Sequence, residues 1–106
     1  MNKYTILRTE SADFQLKEQI LYIADVFGVD TALQKLEEIE KQINLLSDNP
    51  ELGVLPNEFA LRKRGYRVLI LKKNIVFYKI FKNKKQIIVY AMLDQRQDYI
   101  KIIKGL

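Results

Sequence analysis

Two stretches of helical periodicity open the chain, and three of strand character close it. In the first, Leu16, Ile20, Ile23, Ala24 and Phe27 recur at helical spacing, and Phe14 and Leu21 widen the stripe. Ser11, after Thr9-Glu10, offers an N-cap and Gly28 a C-cap, so the spacing predicts a helix over Ala12–Phe27. In the second, Leu33, Leu36, Ile39, Ile43 and Leu46 form a clean amphipathic stripe behind an N-cap at Asp30. Asp48-Asn49-Pro50 ends it. Only Gly28-Val29 lies between the two helices, so they should fold back as an antiparallel hairpin. Both stripes are first of all core-facing surfaces.

Lys3–Arg8 reads as a short strand ahead of the hairpin. Residues 51–60, with Gly53 and Pro56, read as a loop. Three β-branched and aromatic runs follow: Leu61–Leu71, Ile75–Phe81 and Gln86–Leu93. Lys72-Lys73-Asn74 and Lys82-Asn83-Lys84-Lys85 suit hairpin turns between them. Gln95–Lys104 closes the chain as a helix. The expected architecture is α+β in one domain, residues 1–106: an N-terminal strand, an antiparallel helix hairpin packed on an antiparallel meander sheet, and a short C-terminal helix.

Tight loops imply a register. A three-residue loop at 72–74 pairs Arg67 with Lys79, and a four-residue loop at 82–85 pairs Lys79 with Ile88. One face then carries Val68, Ile70, Val76, Tyr78, Ile80, Ile87, Val89, Ala91 and Leu93 and should pack on the helices. The other mixes Arg67, Lys79, Tyr90 and Asp94 with Phe77, Phe81, Ile88 and Met92. That much hydrocarbon calls for a cover, from the C-terminal helix or from a partner.

Charge sharpens this division. The formal net charge is +5. Residues 1–59 hold five Lys/Arg against eleven Asp/Glu, whereas residues 60–106 hold thirteen against two. A basic strand-rich half suits nucleic acid or an acidic partner; lysines that blunt sheet edges are the plainer reading. Cysteine and histidine are both absent, which excludes disulfides, thiol chemistry, histidine acid–base catalysis and most zinc sites. No metal constellation, cofactor motif or phosphate-binding loop is present, and no small-molecule substrate is expected. No apolar run approaches the roughly 18 residues of a membrane span, so no membrane role is expected. The N-terminus does not read as a signal peptide, which leaves cytoplasmic as the default.

The candidate chemistry lies on the mixed face. Arg67 and Lys79, opposite each other in this register, would repel unless an anion sat between them or Asp94 neutralised one. Arg62 and Arg64 could add phosphate affinity. Arg96, near Asp98 and Tyr99, is either a charge-stabilising arginine beside a tyrosine or half of a surface ion pair.

These residues carry a resemblance. Ile20-Leu21-Tyr22-Ile23-Ala24, Leu45-Leu46-Ser47-Asp48-Asn49-Pro50, Gly65-Tyr66-Arg67-Val68, Asn74-Ile75-Val76-Phe77-Tyr78-Lys79-Ile80 and Leu93-Asp94-Gln95-Arg96-Gln97-Asp98-Tyr99, in that order, resemble the RelE/ParE superfamily of bacterial type II toxins. The resemblance implies a small cytoplasmic toxin silenced by a cognate acidic antitoxin. RelE-like members cleave messenger RNA in the ribosomal A site; ParE-like members poison DNA gyrase. On the RelE-like reading Arg67, Arg96 and Tyr99 would be catalytic. The second-strand arginine of that group falls at Ile75, however, and its histidine at Asp94. The missing cation and the long helix hairpin look more like ParE. On either reading Lys79, Arg62 and Arg64 are the expected nucleic-acid or phosphate contacts, and Phe77, Phe81, Ile88 and Met92 the expected antitoxin-binding surface. Three readings follow: gyrase inhibitor, ribosome-dependent endonuclease, or small basic nucleic-acid-binding module.

Overall fold

A computed structural model describes residues 3–95 and 99–105. The elements run β1 (Thr5–Arg8), α1 (Glu10–Phe27), α2 (Val29–Asn44), two single turns of 3-10 helix (Leu45–Ser47 and Pro50–Leu52), α3 (Phe59–Lys63), β2 (Arg67–Ile70), β3 (Asn74–Phe81), β4 (Gln86–Asp94) and α4 (Tyr99–Lys104). The order matches the expected architecture, with one addition. The sheet is mixed, in the order β1-β4-β3-β2: the last three strands form the antiparallel meander and β1 joins β4 in parallel.

The hairpin is tighter than its sequence suggests. Thr9, rather than Ser11, caps α1, its hydroxyl accepting the Ala12 amide at 3.1 Å. Gly28 alone links the helices, at a φ of 100° that favours glycine. α2 therefore starts at Val29, and Asp30 lies in its first turn instead of at the cap, where a negative charge still suits the helix dipole. Arg8 ties three elements together through Asp13 at 3.2 Å and Glu40 at 3.0 Å.

The run expected as one strand from Leu61 divides. Phe59–Lys63 is helical, Gly65 turns the chain, and only Arg67–Ile70 pairs with β3. Its register is also one residue from the expected one: Arg67 lies opposite Tyr78, not Lys79. The cause is Asn74. Its carbonyl accepts the Leu71 amide at 2.8 Å, and its buried side-chain amide donates to Gln19 Oε1. Asn74 thus belongs to the strand, and Ile70 pairs with Ile75 across a four-residue turn.

Between β3 and β4 the expected pairs, Phe81 with Gln86 and Lys79 with Ile88, do form. Beyond them a bulge intervenes: Tyr78 faces Val89 and Phe77 faces Ala91, which leaves Tyr90 without a partner on β3. Above the bulge the faces of β4 exchange. Slip and bulge together place Leu69, Leu71, Val76, Tyr78, Ile87, Val89 and Met92 against the helix hairpin, with Ala12, Leu16, Ile39, Ile43 and Leu46. Val68, Phe77, Ala91 and Leu93 instead pack on the opposite face with Leu61, Tyr66 and Ile103. Both faces of the sheet are therefore covered, by the hairpin on one side and by α3 and α4 on the other.

Where β1 ends, side chains of α1 continue its work on β4. Gln15 Oε1 accepts the Met92 amide at 2.8 Å, and Gln19 Nε2 donates to the Met92 carbonyl at 2.7 Å. Gln19→Ala strips the Met92 carbonyl and Asn74 of partners in a water-poor setting. It should destabilise the fold by about 1–3 kcal/mol, measurable by urea unfolding, whereas Gln34→Ala on exposed α2 should not register.

Candidate interaction site on the outer sheet face

Lys79 lies on the outer sheet face, in the middle of β3. Its ammonium stands over two rings, 4.6 Å from the Tyr66 centroid and 5.0 Å from that of Tyr90. Tyr66 is 3% exposed and meets Tyr90 and Phe77 edge-on, at 5.7 and 6.3 Å between centroids. The quadrupoles of both tyrosines stabilise the cation, a contribution of about 0.5–2 kcal/mol depending on its hydration. Among the described residues no carboxylate pairs with Lys79. Burial raises the Tyr66 hydroxyl above its ordinary 10.0; the nearby Arg64 charge opposes this and Tyr90 adds to it. The result is a half-buried cation between aromatic faces, chemistry that suits a phosphate or carboxylate flanked by a stacking group.

Arg67 does not share this site. The one-residue slip turns it to the hairpin side of the sheet, where its Nη2 donates to the Gly53 carbonyl at 2.9 Å and reaches the Glu51 carbonyl at 3.4 Å. Its Nε is buried without a hydrogen-bond partner among the described residues. Tyr78 completes the cluster: its hydroxyl accepts the Gly53 amide at 2.9 Å and donates to the Pro50 carbonyl at 2.7 Å. A Cβ on Gly53 would stand 2.7 Å from both Tyr78 Oη and the Val68 carbonyl, so only glycine fits there. Arg67 thus anchors the Pro50–Val54 segment to the sheet. The expected Arg67–Lys79 pair does not exist.

The other expected residues divide similarly. Arg62 lies over the Phe59 ring at 5.9 Å, on α3. Arg64 acts on Tyr66 electrostatically. Arg96 lies outside the described residues, as does the side chain of Tyr99. Of the apolar set expected to be open for a partner, Phe77 is 0% and Met92 1% exposed, so neither is available: Phe77 lies beneath Tyr66 in the outer cluster and Met92 faces the hairpin. Ile88 is half-buried and Phe81 lies at the margin of exposure. The exposed apolar groups are elsewhere. Val54, Leu55 and Ile70 are exposed at the β2 edge, and Phe59 on α3. There Val54 pairs with Val68 in a single bridge, and the chain then turns away from Ile70.

With this geometry in place, the family model described as the ParE toxin of type II toxin–antitoxin system, parDE, matches residues 6–99. The chain belongs to the ParE toxin family. Among solved structures, the toxin is similar in fold to a chain of the chromosomal ParDE system from P. aeruginosa, with a TM-score of 0.72 at 17% identity, over 89% of this chain and 98% of that one. It is also similar to a chain of the RelBE2 toxin–antitoxin complex from Mycobacterium tuberculosis, with a TM-score of 0.58 at 16% identity, over 92% and 97%. For the isolated E. coli RelE toxin the TM-score is 0.57 at 15% identity, over 96% and 97%. No curated protein matches the toxin in sequence. No helix among its described residues is long and apolar enough to cross a membrane.

Sequence reading missed Tyr66 and Tyr90 as partners of Lys79. Tyr90 shares the outer face with Lys79 in the expected register, but the pattern marks no contact between them, and Tyr66 lies just before β2, where no pairing points to Lys79. Tyr78 yields a pH-dependence. Burial, the largest effect, holds its hydroxyl above the ordinary 10.0, against the opposing pull of the Gly53 amide and Arg67. The unfolded chain therefore ionises first, so stability is full below pH 10.0 and falls as pH rises toward the native value. Tyr78→Phe should lose about 1–3 kcal/mol at neutral pH, from the unpaired Gly53 and Pro50 groups, yet decline less steeply than the parent above pH 10. Chemical denaturation at a series of pH values reads both effects.

Proposed function

We propose that the toxin acts as ParE-like members do, by binding and inhibiting DNA gyrase, and that a cognate acidic antitoxin silences it. One observation carries the choice of target. Among the described residues, the two expected cations Arg67 and Lys79 are not gathered on one face. Arg67 is turned to the far side of the sheet and held by two backbone carbonyls. Ile75 and Asp94 occupy positions where the RelE-like reading wants an arginine and a histidine. Without Arg67 beside it, Lys79 does not supply both a general base and stabilisation of a pentavalent phosphorus centre.

The antitoxin reading rests on a different surface. Val54, Leu55 and Ile70 at the β2 edge, with Phe59 at the start of α3, are each more than half exposed. Arg62 and Lys63 follow Phe59 on α3. A partner with apolar anchors matches this hydrocarbon, and acidic groups on it would suit the cations of α3. The second reading, a ribosome-dependent messenger RNA endonuclease, draws its support from Lys79 between Tyr66 and Tyr90, a cation with stacking faces beside it.

Controlled expression in bacterial cells separates these readings. The gyrase reading expects growth arrest with a DNA-damage response, intact messages, and loss of supercoiling by purified gyrase. A-site cuts in messages would overturn it in favour of the nuclease. Duplex binding without arrest would favour a basic nucleic-acid-binding module. For the antitoxin surface, Ile70→Lys with Phe59→Lys should leave arrest intact but weaken neutralisation by at least about tenfold, since the buried strip is replaced by desolvated charge.

A further inference from the structure

The helix hairpin outruns the sheet. Gln19 is the last residue of α1 with a hydrogen bond to a strand, and from Leu21 to Thr31 no residue is buried. The projecting end nevertheless carries large apolar groups: Tyr22 is 62% exposed, Val26 52%, Phe27 65%, Val29 63% and Leu33 56%. Core packing accounts for none of them. Beneath this end a cleft of about 740 Å³ opens, with Tyr22, Ile23 and Phe27 on its helix side and Lys73, Asn74 and Gln95 on its sheet side. Five such side chains on one helical turn-around form a patch that a monomer does not ordinarily leave in water.

Its charge is equally one-sided. From Glu18 through Gln34 there is no Lys or Arg; Asp25 and Asp30 are the exposed charges of the tip, and Lys35 is the first cation beyond it. The hairpin as a whole holds eight carboxylates against Lys17, Lys35 and Lys41. We infer that the hairpin tip is the toxin's target-docking surface, and that it seats its apolar groups in a hollow rimmed by Lys or Arg on a basic protein. This rests on the reading that the chain is a toxin with an antitoxin and a separate target. An acidic antitoxin suits the tip itself poorly, because its carboxylates would face Asp25 and Asp30; Lys35 and Lys73 lie on the cleft beneath. A second copy placed tip to tip meets the same repulsion. A second copy placed head to tail, tip against basic sheet, makes a contact that does not close and would grow into fibres. The two partners are therefore given separate surfaces: the apolar β2 edge for the antitoxin, the hairpin tip for the target.

Two variants test this without touching the core. Asp25→Lys reverses the tip's charge in the last turn of α1, where a cation suits the helix dipole. Phe27→Gln with Val29→Gln removes hydrocarbon at exposed positions. Each is expressed from a titratable promoter, assayed with purified DNA gyrase as the probe, co-purified with its antitoxin, and sedimented alone. Thermal unfolding verifies the fold. The expected result is that either variant needs at least about tenfold more toxin for the same arrest and the same loss of supercoiling, with antitoxin binding within about twofold of the parent. Undiminished arrest by both variants overturns the proposal. So does antitoxin binding that falls in step with arrest, or a parent that self-associates through the tip while the variants do not. If the parent arrests growth but leaves gyrase untouched, the choice of gyrase falls, and the tip is still decided by the growth assay. A parent that arrests nothing overturns both readings together.

Discussion

The central strands of this sheet are apolar on both faces, and everything else in the molecule follows from the need to cover them twice. β3 and β4 bury Val76, Tyr78, Ile87, Val89 and Met92 on one side and Phe77, Ala91 and Leu93 on the other. Each large side chain withdrawn from water contributes about 1.5–3 kcal/mol, so neither face can be left open in so small a protein. The hairpin answers the first face with the stripes of α1 and α2. The second face is answered by α3, Tyr66 and α4, the elements with the weakest patterns of their own. Leu61 and Ile103 are both 0% exposed, and they are what make these short helices part of the core.

The hairpin, the meander and the closing helix were legible because their signals are periodic and local. Leu33, Leu36, Ile39 and Ile43 can hardly be read otherwise. What escaped depends on single contacts between distant residues. Nothing near Asn74 announces that Gln19, on another element, will draw it into the strand, yet that contact sets the turn and the register of β2. Since side chains alternate with period two, one residue of slip carried Arg67 from one face to the other. The site residue that seemed best placed for chemistry became an anchor of the Pro50–Val54 segment for that reason. The bulge beside Tyr90 is similar: no glycine or turn residue marks it, and it moves Met92 inward.

The charge division survives these corrections because it does not depend on register. Acids lie along α1 and α2, and cations along the strands and their turns, whichever way a given strand faces. In folded form the projecting hairpin and the β2 edge each carry exposed hydrocarbon of their own. Two separate apolar surfaces can hold two different partners through different contacts.

The bulge has a consequence beyond packing. In a regular ladder, Tyr90 would lie across from Phe77 and alternation would continue along β4. The extra residue instead sets Tyr90 and Ala91 both outward, and Tyr90 leans over Lys79 while Tyr66 closes from the β2 side. An isolated lysine in the middle of an apolar face would be costly to desolvate. The two rings reduce that cost, and among the described residues no carboxylate pairs with the ammonium. The same defect that carries Met92 into the hairpin core sets Ala91 and Leu93 on the opposite face. A change that regularised β4 would disturb both at once.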